Sequence, residues 1–235
     1  MQPNKVVSQQ EWLNARRRHL EREKEFTRLR DELSEERRKL PWVKVDKEYR
    51  FDSIDGRLLL PDLFGGASQL IVYHFMYGPD WEEGCPSCSF WSDNFNGIDI
   101  HLKHRDINLV AVSRAPLETL QAYRERMGWG FKWVSSYQSD FNFDFQASFT
   151  TEEMEKGEMF YNFSTNSFPS DEGPGVSAFY KNNRNEVFHT YSTYARGLDM
   201  LNGAYHYMDI APRGRDEQDL SFTMEWLRRR DQYED

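Results

Sequence analysis

A near-continuous apolar run over residues 70–77 is cut by Gly78-Pro79 and followed at once by Cys85-Pro86-Ser87-Cys88. This succession constrains the fold more than any other feature of the chain. An uninterrupted apolar run of that length reads as a strand buried on both faces. Gly-Pro then stops it, and Pro86 followed by the apolar Phe90-Trp91 reads as the first turns of a helix. The only two cysteines in 235 residues therefore sit three apart where a strand hands over to a helix. Backbone N–H groups and the positive dipole end at such a terminus favour a thiolate, which makes Cys85 the expected nucleophile. Cys88, one turn inside and more shielded, is the expected resolving thiol. Two other readings of the pair stand beside this one. A four-thiolate zinc site within the chain is excluded by the cysteine count, but two thiolates could join histidines from elsewhere. A merely structural disulfide would close too short a ring to stabilise the fold much.

The charge is divided along the sequence. Residues 1–42 carry 11 Lys/Arg against 8 Asp/Glu, a balance of +3, which leaves 19 against 31, or −12, for the remainder and −9 for the whole. An acidic body speaks against nucleic acid as a partner. A polar start without an apolar h-region, no run long enough to span a membrane, and two cysteines at a reactive spacing together suggest a cytoplasmic protein that does not engage membranes.

Ser8 with Glu11 forms a capping-box signature, opening a charged helical run to Leu40 that Pro41 stops. Its sparse apolar positions, Trp12, Leu20, Phe26, Leu29 and Leu33 among them, fit either an arm packed on the body or a homodimerisation arm. Residues 1–41 are accordingly read as an N-terminal helical arm, 42–211 as the main domain with an insertion near 129–175, and 212–235 as a charged tail anchored by Met224-Glu225-Trp226-Leu227.

Within the domain, short strands are expected at 43–45 and 49–51 with an Asp55-Gly56 turn. A helix follows over 95–104, a strand over 107–113 and a helix over 116–127. Residues after Gly128 read as irregular structure held by aromatic anchors, and 150–175 as an insertion or loop. A hairpin turns at Asn182-Asn183, and a helix runs from about 195 or 198 to 208. Alternating strands and helices imply an α/β fold with a partly parallel sheet covered on both faces.

The layout of strand, CxxC at the helix start, β-α unit and final hairpin with helix resembles the thioredoxin fold: a central mixed sheet flanked by helices, here with the long N-terminal helical arm. In more detail, Leu40-Pro41-Trp42-Val43, the stretch from Tyr73-His74-Phe75-Met76 through Trp81-Glu82-Glu83-Gly84-Cys85-Pro86-Ser87-Cys88-Ser89-Phe90-Trp91, Val112-Ser113-Arg114-Ala115-Pro116, Ser139-Asp140-Phe141-Asn142-Phe143-Asp144 and His189-Thr190-Tyr191-Ser192-Thr193-Tyr194-Ala195-Arg196-Gly197 resemble the bacterial thioredoxin-like family filed as domain of unknown function 899. Residues 109–113 with 116–123 and Met127-Gly128-Trp129 resemble the strand and helix of peroxiredoxins, which implies peroxide reduction as a variant of the same thiol chemistry. Thioredoxins carry a cis-proline facing the CxxC, for which Pro174 is the nearest counterpart.

Around the cysteines, Asp80, Glu82 and Glu83 would raise a thiol pKa while the helix terminus lowers it. Glu83 is the candidate proton acceptor for Cys88, against a simply solvated acidic loop. Arg114, at the carboxyl end of a strand, could hold an anionic substrate, stabilise a thiolate or pair with the acidic body, and Arg196 could line the same cleft. The expected activity is thiol-disulfide oxidoreduction, or peroxide reduction, by Cys85 and Cys88 with Glu83 and Arg114. It requires no cofactor and uses an electron donor and a small-molecule substrate that the sequence leaves open. The alternative is a copper or zinc site made by Cys85, Cys88, His74 and His189. A third reading is a small-molecule binding protein whose CxxC is vestigial.

Overall fold

A computed structural model describes residues 4–234. The chain divides into two units between Pro41 and Trp42. The first is dominated by α1, Gln9–Arg38, which begins at the capping box: Ser8 Oγ donates to the Glu11 carboxylate at 2.7 Å and accepts from the Glu11 N–H. Arg37 and Arg38 occupy its last turn, where positive charge complements the dipole. Among the described residues of α1 none is buried, and Trp12, Phe26, Leu29 and Leu33 are exposed.

The second unit is built on an eight-stranded mixed sheet. Its elements in chain order begin with β1 (Val43–Lys44), β2 (Arg50–Ser53) and β3 (Gly56–Leu59), then a 3-10 turn at Leu60–Phe64 and β4 (Gln69–His74). There follow α2 (Pro86–Ser92), α3 (Ile98–Lys103), β5 (Ile107–Ser113), α4 (Leu117–Arg126), β6 (Lys132–Ser135), α5 (Phe141–Asp144) and α6 (Thr151–Lys156). The chain closes with β7 (Met159–Tyr161), β8 (Ser164–Asn166), β9 (Gly175–Lys181), β10 (Val187–Tyr194), a 3-10 stretch at Ala195–Leu201 and α7 (Gly203–Ile210). The sheet order is β1-β10-β9-β4-β5-β6-β2-β3. β4, β5 and β6 run parallel, and β9 pairs antiparallel with β4 before turning into β10. The fold is the thioredoxin-like α/β arrangement, with the CxxC helix leaving the central strand β4.

Period-two alternation along β4 and its extension decides which core each side chain joins. Tyr73, Phe75 and Tyr77 enter an aromatic cluster with Tyr123, Trp129 and Trp133, in which the Phe75 and Trp133 rings lie 4.6 Å apart. Leu70 and Val72 enter the opposite cluster with Val112, Phe141, Phe145 and Phe179. Cys88 belongs to the first cluster.

Several elements differ from the sequence reading. The stretch after Gly128 contains β6, whose Trp133 and Val134 are buried on opposite faces; a strand of four residues among many aromatics leaves little periodicity to read. Residues 150–175 hold α6, opened by a Thr150–Glu153 capping box, and the β7–β8 hairpin. The helix expected over 95–104 begins at Ile98, because Gly97 adopts φ 87° and breaks the chain. The last helix begins later, at Gly203, where the Asn202 side chain accepts from the Tyr205 N–H at 3.2 Å.

Phe75 is fully buried beneath the CxxC loop. Phe75→Ala is expected to lower unfolding free energy by about 3–5 kcal/mol, read as a reduced urea midpoint at unchanged slope.

Candidate functional site

The loop between β4 and α2 is tied back onto the sheet. The Cys85 N–H donates to the Met76 carbonyl at 3.1 Å, and the Tyr77 hydroxyl donates to the Glu82 carbonyl at 3.0 Å. Gly84 makes this return feasible: a Cβ there would lie 2.8 Å from the Phe75 ring and 3.0 Å from that of Tyr123. Cys85 then caps α2, with Pro86 in the first turn. The Cys85 carbonyl accepts from the Ser89 N–H at 3.0 Å and from Ser89 Oγ at 2.9 Å.

Both cysteines are free thiols, 4.1 Å apart. Cys85 is half-buried, whereas Cys88 is 1 % exposed, and the N–H of Met76 points at the Cys88 sulfur over 3.4 Å. Their acidities diverge. Hydrogen bonding from the Cys88 thiol, aided by the backbone N–H groups of Cys88 and Ser87, holds Cys85 down to about 7 against the opposing effect of burial. Burial, together with the neighbouring Cys85 charge, pushes Cys88 well above the ordinary thiol range.

Glu83 stands beside this loop and is engaged by two guanidiniums, Arg126 at 2.5 Å and Arg229 at 2.7 Å. Arg229 does more than pair. Its Nη2 donates to the Gly84 carbonyl at 2.8 Å, and its Nε donates to the Tyr123 hydroxyl at 2.9 Å. Tyr123 in turn meets Ser89 Oγ at 2.9 Å. The C-terminal segment thus straps the peptide that precedes Cys85, held down by the buried Leu227 and by Arg126–Asp231 at 2.6 Å. Nothing periodic in the sequence pointed to Arg229, which acts across 145 residues; its charged neighbours looked like solvated tail.

Arg114 leaves the end of β5 and is bound elsewhere. Its Nε donates to Glu172 at 2.6 Å and its Nη2 to Asp171 at 3.2 Å, and its guanidinium lies 4.6 Å over the Phe143 ring. Glu172 is fully buried, accepts from Ser148 Oγ at 2.8 Å, and is pushed up to about 7 by that burial despite Arg114. Pro174 follows Gly173 through a trans peptide, and its carbonyl accepts from the Tyr161 hydroxyl at 2.7 Å.

The metal set of Cys85, Cys88, His74 and His189 is not assembled. Alternation along β4 sends His74 to the sheet face opposite Phe75 and Cys88, where it stacks on Phe141 at 5.6 Å. There the two histidines are joined to one another through serines: His74 Nε2 to Ser177 Oγ at 2.9 Å, Ser177 to Ser192 at 2.9 Å, and Ser192 to His189 Nε2 at 2.7 Å. Among the described residues no group of three or more His, Cys, Asp or Glu gathers to hold a metal ion. Burial holds His74 down to about 3, with the neighbouring His189 adding to it, and burial also lowers His189.

Comparison with known proteins gives a family and a layout. The family described as bacterial protein of unknown function (DUF899) matches residues 1–233. No curated protein matches the chain. Similar solved structures include a peroxidoxin BcpB of Mycobacterium tuberculosis, at 10% identity and TM-score 0.47 over 69% of this chain and 93% of that one. A peroxiredoxin Q of Xanthomonas campestris gives 14% and 0.42 over 67% and 90%, and a peroxiredoxin 6 of Arenicola marina gives 13% and 0.43 over 66% and 67%. Likeness at this level concerns the path of the chain and carries no residue role across.

Two outcomes follow from the geometry. Arg229→Ala removes a positive charge and leaves Glu83 less compensated, so the pH midpoint of Cys85 alkylation should rise by about 0.5–1 unit. Arg229→Lys should recover part of that rise, and an unchanged midpoint in both variants would make the strap irrelevant to Cys85. His74 stays neutral when folded and ionises near pH 6.5 when unfolded, so its contribution to stability is complete above that pH and is lost as pH falls toward 3. In His74→Phe the slope of unfolding free energy between about pH 6 and 4 should shrink by roughly one proton, or about 1.4 kcal/mol per pH unit. Urea titrations across that range measure it.

Proposed function

We propose that this chain, which belongs to the bacterial DUF899 family of proteins of unknown function, is a thiol-disulfide oxidoreductase in which Cys85 attacks and Cys88 resolves. The observation that carries the reading is the asymmetry of the pair: a half-buried Cys85 held down to about 7 beside a buried Cys88 pushed up. At neutral pH such a pair keeps one sulfur as a nucleophile and the other protonated, which is the state that begins exchange.

The Cys85 thiolate attacks one sulfur of a substrate disulfide. The substrate S–S bond breaks, the departing thiolate takes a proton, and Cys85 is left in a mixed disulfide. That step consumes the charge that helps hold the Cys88 proton in place, so Cys88 becomes easier to ionise when its turn comes. Cys88 then loses its proton and attacks the Cys85 sulfur, closing the intramolecular disulfide and releasing the second substrate thiol. The substrate gains two electrons and the protein dithiol loses two. A thiol donor must reduce the pair again, a requirement suited to a reducing compartment such as the cytoplasm. In this scheme Glu83 acts through Arg126 and Arg229 as a brace for the loop, and Arg114 braces the neighbouring strand end through Glu172.

The test is iodoacetamide alkylation against pH. One thiol should react with a midpoint near 7, below the ordinary value of about 8.5, and Cys85→Ser should abolish that reaction. Cys88→Ser should accumulate a stable mixed disulfide when offered an aromatic disulfide. A Cys85 that reacts only above about pH 8.5, or equal reactivity of the two thiols, would overturn the assignment.

A further inference from the structure

A chamber of about 240 Å³ opens beside the resolving cysteine, with Tyr73, Cys88, Trp91, Pro174, Leu198 and Tyr205 around it. Pockets for drug-sized ligands begin at about 300 Å³, so the occupant is small. Its walls are mostly aromatic and aliphatic, with the Ser87 and Thr223 hydroxyls as the neutral polar groups among them. The Trp91 N–H donates to the Leu198 carbonyl at 2.8 Å, and the Tyr205 hydroxyl donates to Glu217 at 3.0 Å, leaving ring faces toward the space. The charges at the rim are likewise matched to one another. Arg215 pairs with Asp199 at 2.8 Å and with Asp209 at 2.9 Å while stacking on Tyr205, and Arg196 pairs with Asp199 at 3.1 Å. A charged ligand would be desolvated there against rim charges that already pair with one another.

Resting on the thiol-disulfide reading above, we propose that this chamber seats one apolar arm of a small uncharged disulfide and delivers its S–S bond to the Cys85–Cys88 pair. Cys88 and Ser87 line the chamber, while Cys85 stands just outside the lining and 4.1 Å from Cys88, so the S–S bond would lie at the chamber's edge beside Cys85 with only the arm inside. A protein disulfide is a poor fit. It carries backbone on both sides of each cysteine, whereas Met224 of the C-terminal segment and Leu198 wall this space. Exchange proceeds as written above: Cys85 takes one sulfur, the other half leaves as a thiol, Cys88 closes the ring and the second half is released. The substrate is reduced by two electrons and the dithiol is oxidised.

The experiment compares dipropyl disulfide with its near-isostere bis(2-hydroxyethyl) disulfide and with insulin, in single turnovers of the pre-reduced protein followed by thiol loss. The second-order rate constant for dipropyl disulfide should exceed that for the hydroxylated compound by about 10-fold or more, since a hydroxyl seated among the aromatic walls gives up its hydration. Met224→Trp, which narrows the space, should cut that ratio several-fold. A ratio near 1, or a preference for insulin, overturns the chamber assignment while leaving the dithiol chemistry intact. If reduced protein consumes none of the three, the oxidoreductase reading fails, and the chamber is then judged by binding alone. In Cys85→Ser, dipropyl disulfide should raise Tm saturably and bis(2-hydroxyethyl) disulfide should not. Equal shifts, or none, overturn it.

Discussion

The close approach of Gly84 to the rings of Phe75 and Tyr123 is the constraint from which the candidate site follows. With no side chain there, the loop after β4 can fold back so that the Cys85 N–H reaches the Met76 carbonyl and the helix starts against the sheet. Any larger residue would push the loop off the aromatic cluster that supports it. From that placement come the partial burial of Cys85, the full burial of Cys88 and the divergence of their acidities. Acidic residues preceding the motif would oppose this, yet Glu83 is neutralised by Arg126 and Arg229, so the short-range hydrogen bonds decide the outcome.

The sheet also explains why the molecule's polar interior is partitioned. One face carries the thiols and a dense set of Trp and Tyr rings. The other holds the chain His74–Ser177–Ser192–His189 among Phe141, Phe145 and Phe179. A one-residue step along β4 separates the two, and that step keeps imidazole away from sulfur. The arrangement separates the thiols from the imidazoles that a mixed sulfur and nitrogen metal site would bring together.

Much of the frame was legible in the sequence. The apolar runs of β4 and β5, the Gly78-Pro79 break, the helix at Pro86 and the Asn182-Asn183 turn each rest on strong local signals. β6 escaped because its four residues sit in a region where aromatic side chains face both ways. Position along the fold puts both histidines near the cysteines, whereas sheet parity turns them to the opposite face, against Phe141, Phe145 and Phe179. Arg229 and Tyr123 could not be found by spacing, since their roles arise from a contact between the end of the chain and its middle. What the residues alone show is the spacing of the two cysteines at a helix start; what they could not supply is the environment that makes the two thiols unequal.

That inequality is most directly measured by titrating the 13Cβ shifts of both cysteines in the reduced protein from about pH 5 to about pH 10. The account predicts that Cys85 changes with a midpoint near 7, while Cys88 stays in its thiol form until well above the ordinary thiol range. A shared midpoint near the free-cysteine value of about 8.5, or Cys88 titrating first, would contradict it.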